Sequence, residues 1–109
     1  MFLKQNRFMI SQKDFEARDR AGNGLLYVAV SNSNLEVAKL FMQMGADVNQ
    51  KNQFENTCLH KAMQIKDYRM FRFLSQMQAD QNAINSCGLT PIQYQDSEGG
   101  VLIFLILHR

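Results

Sequence analysis

The chain has 109 residues, 20% of them charged, and a formal net charge of +2, which is the ordinary balance of one small soluble domain with a limited core. Lys and Arg are not gathered into a block, so the charge does not argue for a nucleic-acid partner. The two cysteines, Cys58 and Cys87, have no C-x-x-C spacing and no His or acidic cluster around them; no zinc or other metal site is expected, and they read as reduced thiols of an intracellular, cytoplasmic protein.

At the amino end, Met1 to Ile10 is interrupted by Lys4, Gln5, Asn6 and Arg7, which breaks the continuous apolar core of a secretory signal. Residues 1–13 have room for only one helix. From Asp19 the chain begins to copy itself. Gapless segments starting at Asp19, Asn52 and Asn85 follow one another at a spacing of 33 residues, and a fixed period of this size is the mark of a stacked repeat.

Within the first period, Leu26, Ala29 and Val30 recur at helical spacing and predict a short helix with one apolar stripe. Leu35, Val37, Ala38, Leu40 and Phe41 predict a second helix with a wide buried face, and Glu36 and Lys39 form an exposed pair on its outside. Gly45 follows as a helix stop able to take positive φ. The second period repeats the plan but places Glu55 and Gln78 where the first has Gly22 and Gly45, so side chains are expected at two left-handed positions, each costing about 1 kcal/mol or more. In the third, Pro91 falls in the first turn of a helix, where its missing N–H is harmless.

The last segment, Val101 to Leu107, is a run of apolar residues too short to span a bilayer, so no membrane insertion is expected. The outer positions of the second helix are Glu36 and Lys39 in the first period, Arg69 and Arg72 in the second, and Leu102 and Leu105 in the third. A helix apolar on every side is normally buried, whereas a solenoid normally ends in a polar cap. Leu102 and Leu105 therefore read as a docking helix covered by a partner, a second copy or further chain.

The segment Thr57-Cys58-Leu59-His60-Lys61-Ala62, with Thr90-Pro91-Ile92 one period later, resembles the T-P-L-H-x-A signature of the ankyrin repeat. Leu35 to Phe41 followed by Gly45-Ala46-Asp47-Val48-Asn49, and Phe73-Leu74 followed by Ala79-Asp80-Gln81-Asn82, resemble the second helix and exit of that family, over about residues 14–107. The resemblance implies a mainly α fold, an ankyrin-repeat solenoid of helix-turn-helix pairs with connecting turns, with about two full repeats and a partial one at each end. The expected division is one domain over 1–109: a partial repeat at 1–18, repeats at 19–51 and 52–84, and a truncated one at 85–109. The first repeat departs from the pattern with Gly24-Leu25-Leu26-Tyr27, which lacks the hydrogen bonds of the Thr and His.

His60 takes the hydrogen-bonding histidine position of the signature. The chain offers no paired carboxylates with a base, no phosphate loop, no nucleophile motif and no ligand cluster, so neither catalysis nor a cofactor is expected. The resemblance implies instead a non-catalytic protein–protein interaction module or adaptor that binds its partner protein through turn tips and the inner face of the first helices. Carried over position by position, these are Arg20 and Asn23; Phe54 and Asn56; Lys61, Gln64 and Ile65; and Leu89 with Tyr94. Phe54, Ile65, Leu89 and Tyr94 are expected as exposed apolar groups along one groove, the chemistry of interface hot spots. The alternative is a structural subunit of a larger assembly, docked through Val101 to Leu107.

Overall fold

A computed structural model describes residues 12–94 of the chain. Among these residues a short 3-10 turn, Gln12–Phe15, precedes four α-helices and no strand: α1 (Leu25–Ser31), α2 (Leu35–Gln43), α3 (Cys58–Gln64) and α4 (Tyr68–Gln76). Helix α1 packs on α2, α3 packs on α4, and α1 lies directly against α3. The expected stripe is the core: Leu26, Ala29 and Val30 of α1 are buried beside Leu59 and Ala62 of α3, with Ala38, Met70 and Leu74 contributed by the second helices. Helices of seven and nine residues have too little length to be stable alone. They hold because each pair stacks on the next. At the amino-terminal end Phe15 closes this core, its ring edge-on to Phe41 at a centroid distance of 5.8 Å.

All four helices end alike. The amide two residues past the cap reaches back to the third-last helical carbonyl, as in Asn34 to Ala29, Ala46 to Phe41, Asp67 to Ala62 and Ala79 to Leu74. The residue between is left-handed: Ser33 at φ 53°, Gly45 at 94°, Lys66 at 59° and Gln78 at 68°. This is the Schellman stop, and only Gly45 supplies the residue that it favours. The expected positive φ at Glu55 is present as well, at 63°. Ser33 and Lys66 are two further strained positions beyond those read from the sequence.

The helix starts differ. Thr57 opens α3 with a reciprocal capping box, its Oγ1 accepting from the His60 amide while the Thr57 amide donates to His60 Nδ1. Asn34 and Asp67 cap α2 and α4 with their side-chain oxygens. Gly24 gives α1 no side-chain cap, as its sequence implies. Tyr27, at the position of His60, is buried instead, and its hydroxyl finds the Asn52 side chain. The surface pair expected between Glu36 and Lys39 is replaced by a contact across helices: the Lys39 ammonium stands 6.0 Å over the Phe73 ring of α4. Residues 91–94 form the turn that opens the third unit. Leu102, Leu105 and the rest of the expected docking helix lie outside the described residues. None of the described helices is long and apolar enough to cross a membrane.

Candidate functional site

Each unit projects a finger built around one Asx side chain. Asp19 Oδ1 accepts from the amides of Ala21 (2.9 Å) and Asn23 (2.8 Å). Asn52 does the same for Phe54 and Asn56, and Asn85 for Cys87 and Leu89. This is the Asx turn, in which a short polar side chain takes the place of a backbone acceptor. Its many donors hold the Asp19 carboxyl below the ordinary carboxylate range, led by the Asn23 amide.

The fingers are joined edge to edge. The Gln53 amide donates to the Ala21 carbonyl (3.1 Å), and one period later the Ser86 amide donates to the Phe54 carbonyl (3.0 Å). Beneath them runs a ladder of side-chain amides. Asn52 Nδ2 donates to Asn23 Oδ1 and Asn85 Nδ2 donates to Asn56 Oδ1, both at 2.9 Å. On the flank, Arg18 donates to the Lys51 carbonyl and Lys51 to the Ile84 carbonyl, each at 3.0 Å. Asn49 Oδ1, at the exit of α2, accepts from the Asp80 amide at 2.7 Å. Fixed backbone of this kind presents its tips with little entropy left to lose on binding.

These bonds sort the expected partner-binding residues. Arg20 and Phe54 are exposed at the tips, Phe54 with 54% of its surface open. Lys61, Gln64 and Ile65 are half-exposed on α3 and its end, with Lys61 donating to Gln64 Oε1 (3.0 Å), and Val28 is open on α1. Two expectations are corrected. Leu89 is 2% exposed, because the fourth finger residue turns inward and its carbonyl serves His60. Asn56 occupies the same finger position one period earlier and is buried for the same reason, its amide committed to the ladder. Asn23 is half-buried in that ladder. Tyr94 is half-buried too, its hydroxyl accepting from Asn56 Nδ2 (3.4 Å) and its ring edge-on to His60 at 5.6 Å. Tyr68 and Ile84, more than half exposed, were not singled out in the sequence. Both flank the repeated motif, and only the packed structure shows their surroundings.

His60 is a strut. Its Nδ1 accepts from the Thr57 amide (3.1 Å), so the neutral ring carries its proton on Nε2, which donates to the Leu89 carbonyl at 2.8 Å. Burial pushes its pKa below the usual 6.5. Cys58 is likewise buried, its thiol pushed up to about 12 by loss of solvent, while Cys87 is exposed. Among the described residues no three His, Cys, Asp or Glu side chains gather as a metal site would need.

A row of helix pairs with hydrogen-bonded fingers along one edge is a repeat solenoid, a class whose units cannot stand alone and whose fingers and first helices form a continuous face. The comparison with known sequences agrees. The family profile described as ankyrin repeats (3 copies) matches residues 26–95. The chain is 31% identical over 94 residues to I-Kappa-B like protein C2 of Microplitis demolitor bracovirus (isolate Webb), covering 82% of this chain and 49% of that protein. It is 33% identical over 85 residues to Protein phosphatase 1 regulatory subunit 27 of Homo sapiens, covering 78% and 55% respectively. Against Putative ankyrin repeat protein FPV014 of Fowlpox virus (strain NVSL) it is 31% identical over 74 residues, 67% of this chain and 17% of that one. The chain thus spans about half the length of the first two relatives and less of the third. It belongs to the ankyrin-repeat family, whose repeats generally mediate protein–protein interaction.

Proposed function

We propose that the chain is a non-catalytic interaction module that holds a partner protein along its fingertips and the open side of α1 and α3. The observation that carries this reading is Phe54: a large apolar side chain, more than half exposed, on a backbone tied to the fingers on both sides. An exposed aromatic on a rigid support is the usual anchor of a protein interface. Arg20, Val28, Lys61, Gln64 and Ile65 complete the surface, and Asn23 and Tyr94 support it from beneath. One relative is named as a regulatory subunit of protein phosphatase 1, a name that supports a regulatory adaptor without supplying this chain's partner.

Site-specific photocrosslinking on the intact chain tests the reading. A crosslinker placed at position 54, 61 or 65 is expected to trap one protein in defined yield, and Phe54→Ala with Ile65→Ala is expected to abolish that adduct from position 61. Adducts that survive the pair of changes, or that form from none of the three positions, overturn it.

A further inference from the structure

The first helices touch, and the second helices do not close up in the same way: α1 lies against α3, while α2 and α4 make at most marginal contact. A groove of about 460 Å³ opens between α2 and α4. Leu35 and Phe73, both part of the apolar packing, form its floor. Tyr68, 57% exposed, closes one side, and Lys39, Arg69 and Arg72 stand around it with no acidic side chain in the lining. Glu36, though on α2, does not line it. Beyond Leu35 and Arg69 the groove runs into a second hollow of about 400 Å³ towards Ser33 and Ile65. The one carboxylate there, Asp67, caps α4 by accepting from the Met70 amide at 3.1 Å.

An apolar floor with cations on its rim is complementary to a chain of opposite charge that also carries an apolar anchor. Guanidinium groups prefer carboxylates, which they hold with two parallel bonds. The Lys39 ammonium over the Phe73 ring keeps its charge at the groove. The two hollows adjoin at Leu35 and Arg69, which suits an extended segment better than a compact small molecule. A nucleic-acid backbone would ask for a longer basic surface than the four cations of the two hollows, Lys39, Lys66, Arg69 and Arg72, in a chain of net charge +2, since its affinity comes from many phosphate contacts.

We propose that the groove between α2 and α4 is a second docking surface, and that its occupant is an acidic peptide segment with an apolar or aromatic anchor residue. It stands on the second-helix side, apart from the finger surface except at Ile65, and does not depend on the finger surface being a binding site. A chain with both surfaces would bridge two partners.

The test is titration of the isotopically labelled full-length chain with three probes: a short glutamate-rich peptide with a central Leu-Phe pair, its lysine-rich counterpart, and a single-stranded oligothymidylate of similar length. The glutamate-rich peptide is expected to shift amide resonances around Lys39, Arg69 and Phe73, to weaken with added salt, and to lose affinity by about tenfold or more in Lys39→Glu with Arg72→Glu. Arg69→Gln with Arg72→Gln is the milder second variant, expected to weaken binding in the same direction, and Phe54→Ala is expected to leave it unchanged. Absence of binding, equal binding of the lysine-rich peptide, survival of affinity in both charge variants, or shifts confined to the fingers would each overturn the proposal. Tighter binding of the oligothymidylate would also overturn it and mark a general polyanion surface.

Discussion

The Nε2 of His60 donates to the carbonyl oxygen of Leu89 across 2.8 Å, and this bond fastens one repeat to the finger of the next. Both ring nitrogens are used, since Nδ1 accepts from the Thr57 amide with the Thr57 hydroxyl also 2.9 Å away, and a second proton on Nδ1 would break the bond from the amide. The folded pKa therefore lies below 6.5, with burial the main cause. The folded state binds fewer protons at His60 than the unfolded state once the pH drops below about 6.5, so the contribution of this group is fully present above that pH and falls as the pH decreases towards the folded pKa. Urea titrations between about pH 7 and pH 5 are expected to show this loss in the native chain and a much flatter profile in His60→Gln. The lowered pKa of Asp19 acts in a separate window, its contribution lost only as the pH falls through the range below 3.8.

Side chains at left-handed φ store strain that glycine would release. Gln78→Gly, Lys66→Gly and Ser33→Gly are each expected to stabilise the fold by about 0.5–1 kcal/mol, after allowance for the extra freedom of glycine in the unfolded chain. Gly45→Ala, with open space around the added carbon but a φ of 94°, is expected to cost about 1 kcal/mol. Denaturant midpoints at constant slope decide both signs.

Asn56 and Leu89 are structural, and Phe54 is not. Asn56→Ala leaves a buried Asn85 donor without its acceptor and is expected to cost about 2 kcal/mol. Leu89→Ala empties a packed site and is expected to cost about 2–4 kcal/mol. Phe54→Ala is expected to change stability by less than about 0.5 kcal/mol, and to show its effect in partner binding. Thermal unfolding of the three variants separates them.

The two thiols differ in access. Cys87 is expected to react with an aromatic disulfide reagent at once, and Cys58 only when the chain unfolds, since its thiol is buried and raised to about 12. Counting released thiolate before and after adding denaturant checks this: one equivalent, then two.

Leu102→Glu with Leu105→Lys places on the third repeat the charges that the first carries at the same outer positions, Glu36 and Lys39. The pair is expected to improve solubility and to abolish docking through that segment. Light scattering on a sizing column reads the change in mass, and docking that survives it removes the assembly-subunit alternative.

The repeat itself was legible because period, apolar stripe and helix stop all coincide: Leu26, Ala29, Val30 and Gly45 are where their residue types belong. Ser33 and Lys66 were not legible as left-handed, because nothing about Ser or Lys marks that conformation; only comparison with Gly45 at the other helix ends does. Leu89 is expected at the surface because the resemblance carries it over as a turn tip, and it is buried. Asn23 and Asn56 hold the same position, and only the structure shows that it turns inward, the asparagines to a ladder and the leucine to the core. The groove between α2 and α4 depends on how far two helices stand apart, a quantity that no residue type records. Lys39 shows the same limit, since its neighbour in sequence is Glu36 and its neighbour in space is Phe73.

Arg18 and Lys51 reach forward to carbonyls 33 residues on, and the bond from one finger to the next, Gln53 to Ala21, recurs one period later as Ser86 to Phe54. Among the described residues the two joints thus share the cation-to-carbonyl, finger-to-finger and Asn-to-Asn bonds, and differ where Tyr27 replaces His60. A whole period copied in tandem between two units would meet matching ends on both sides, so the chain can grow by duplication of its own gene segment without inventing a new interface.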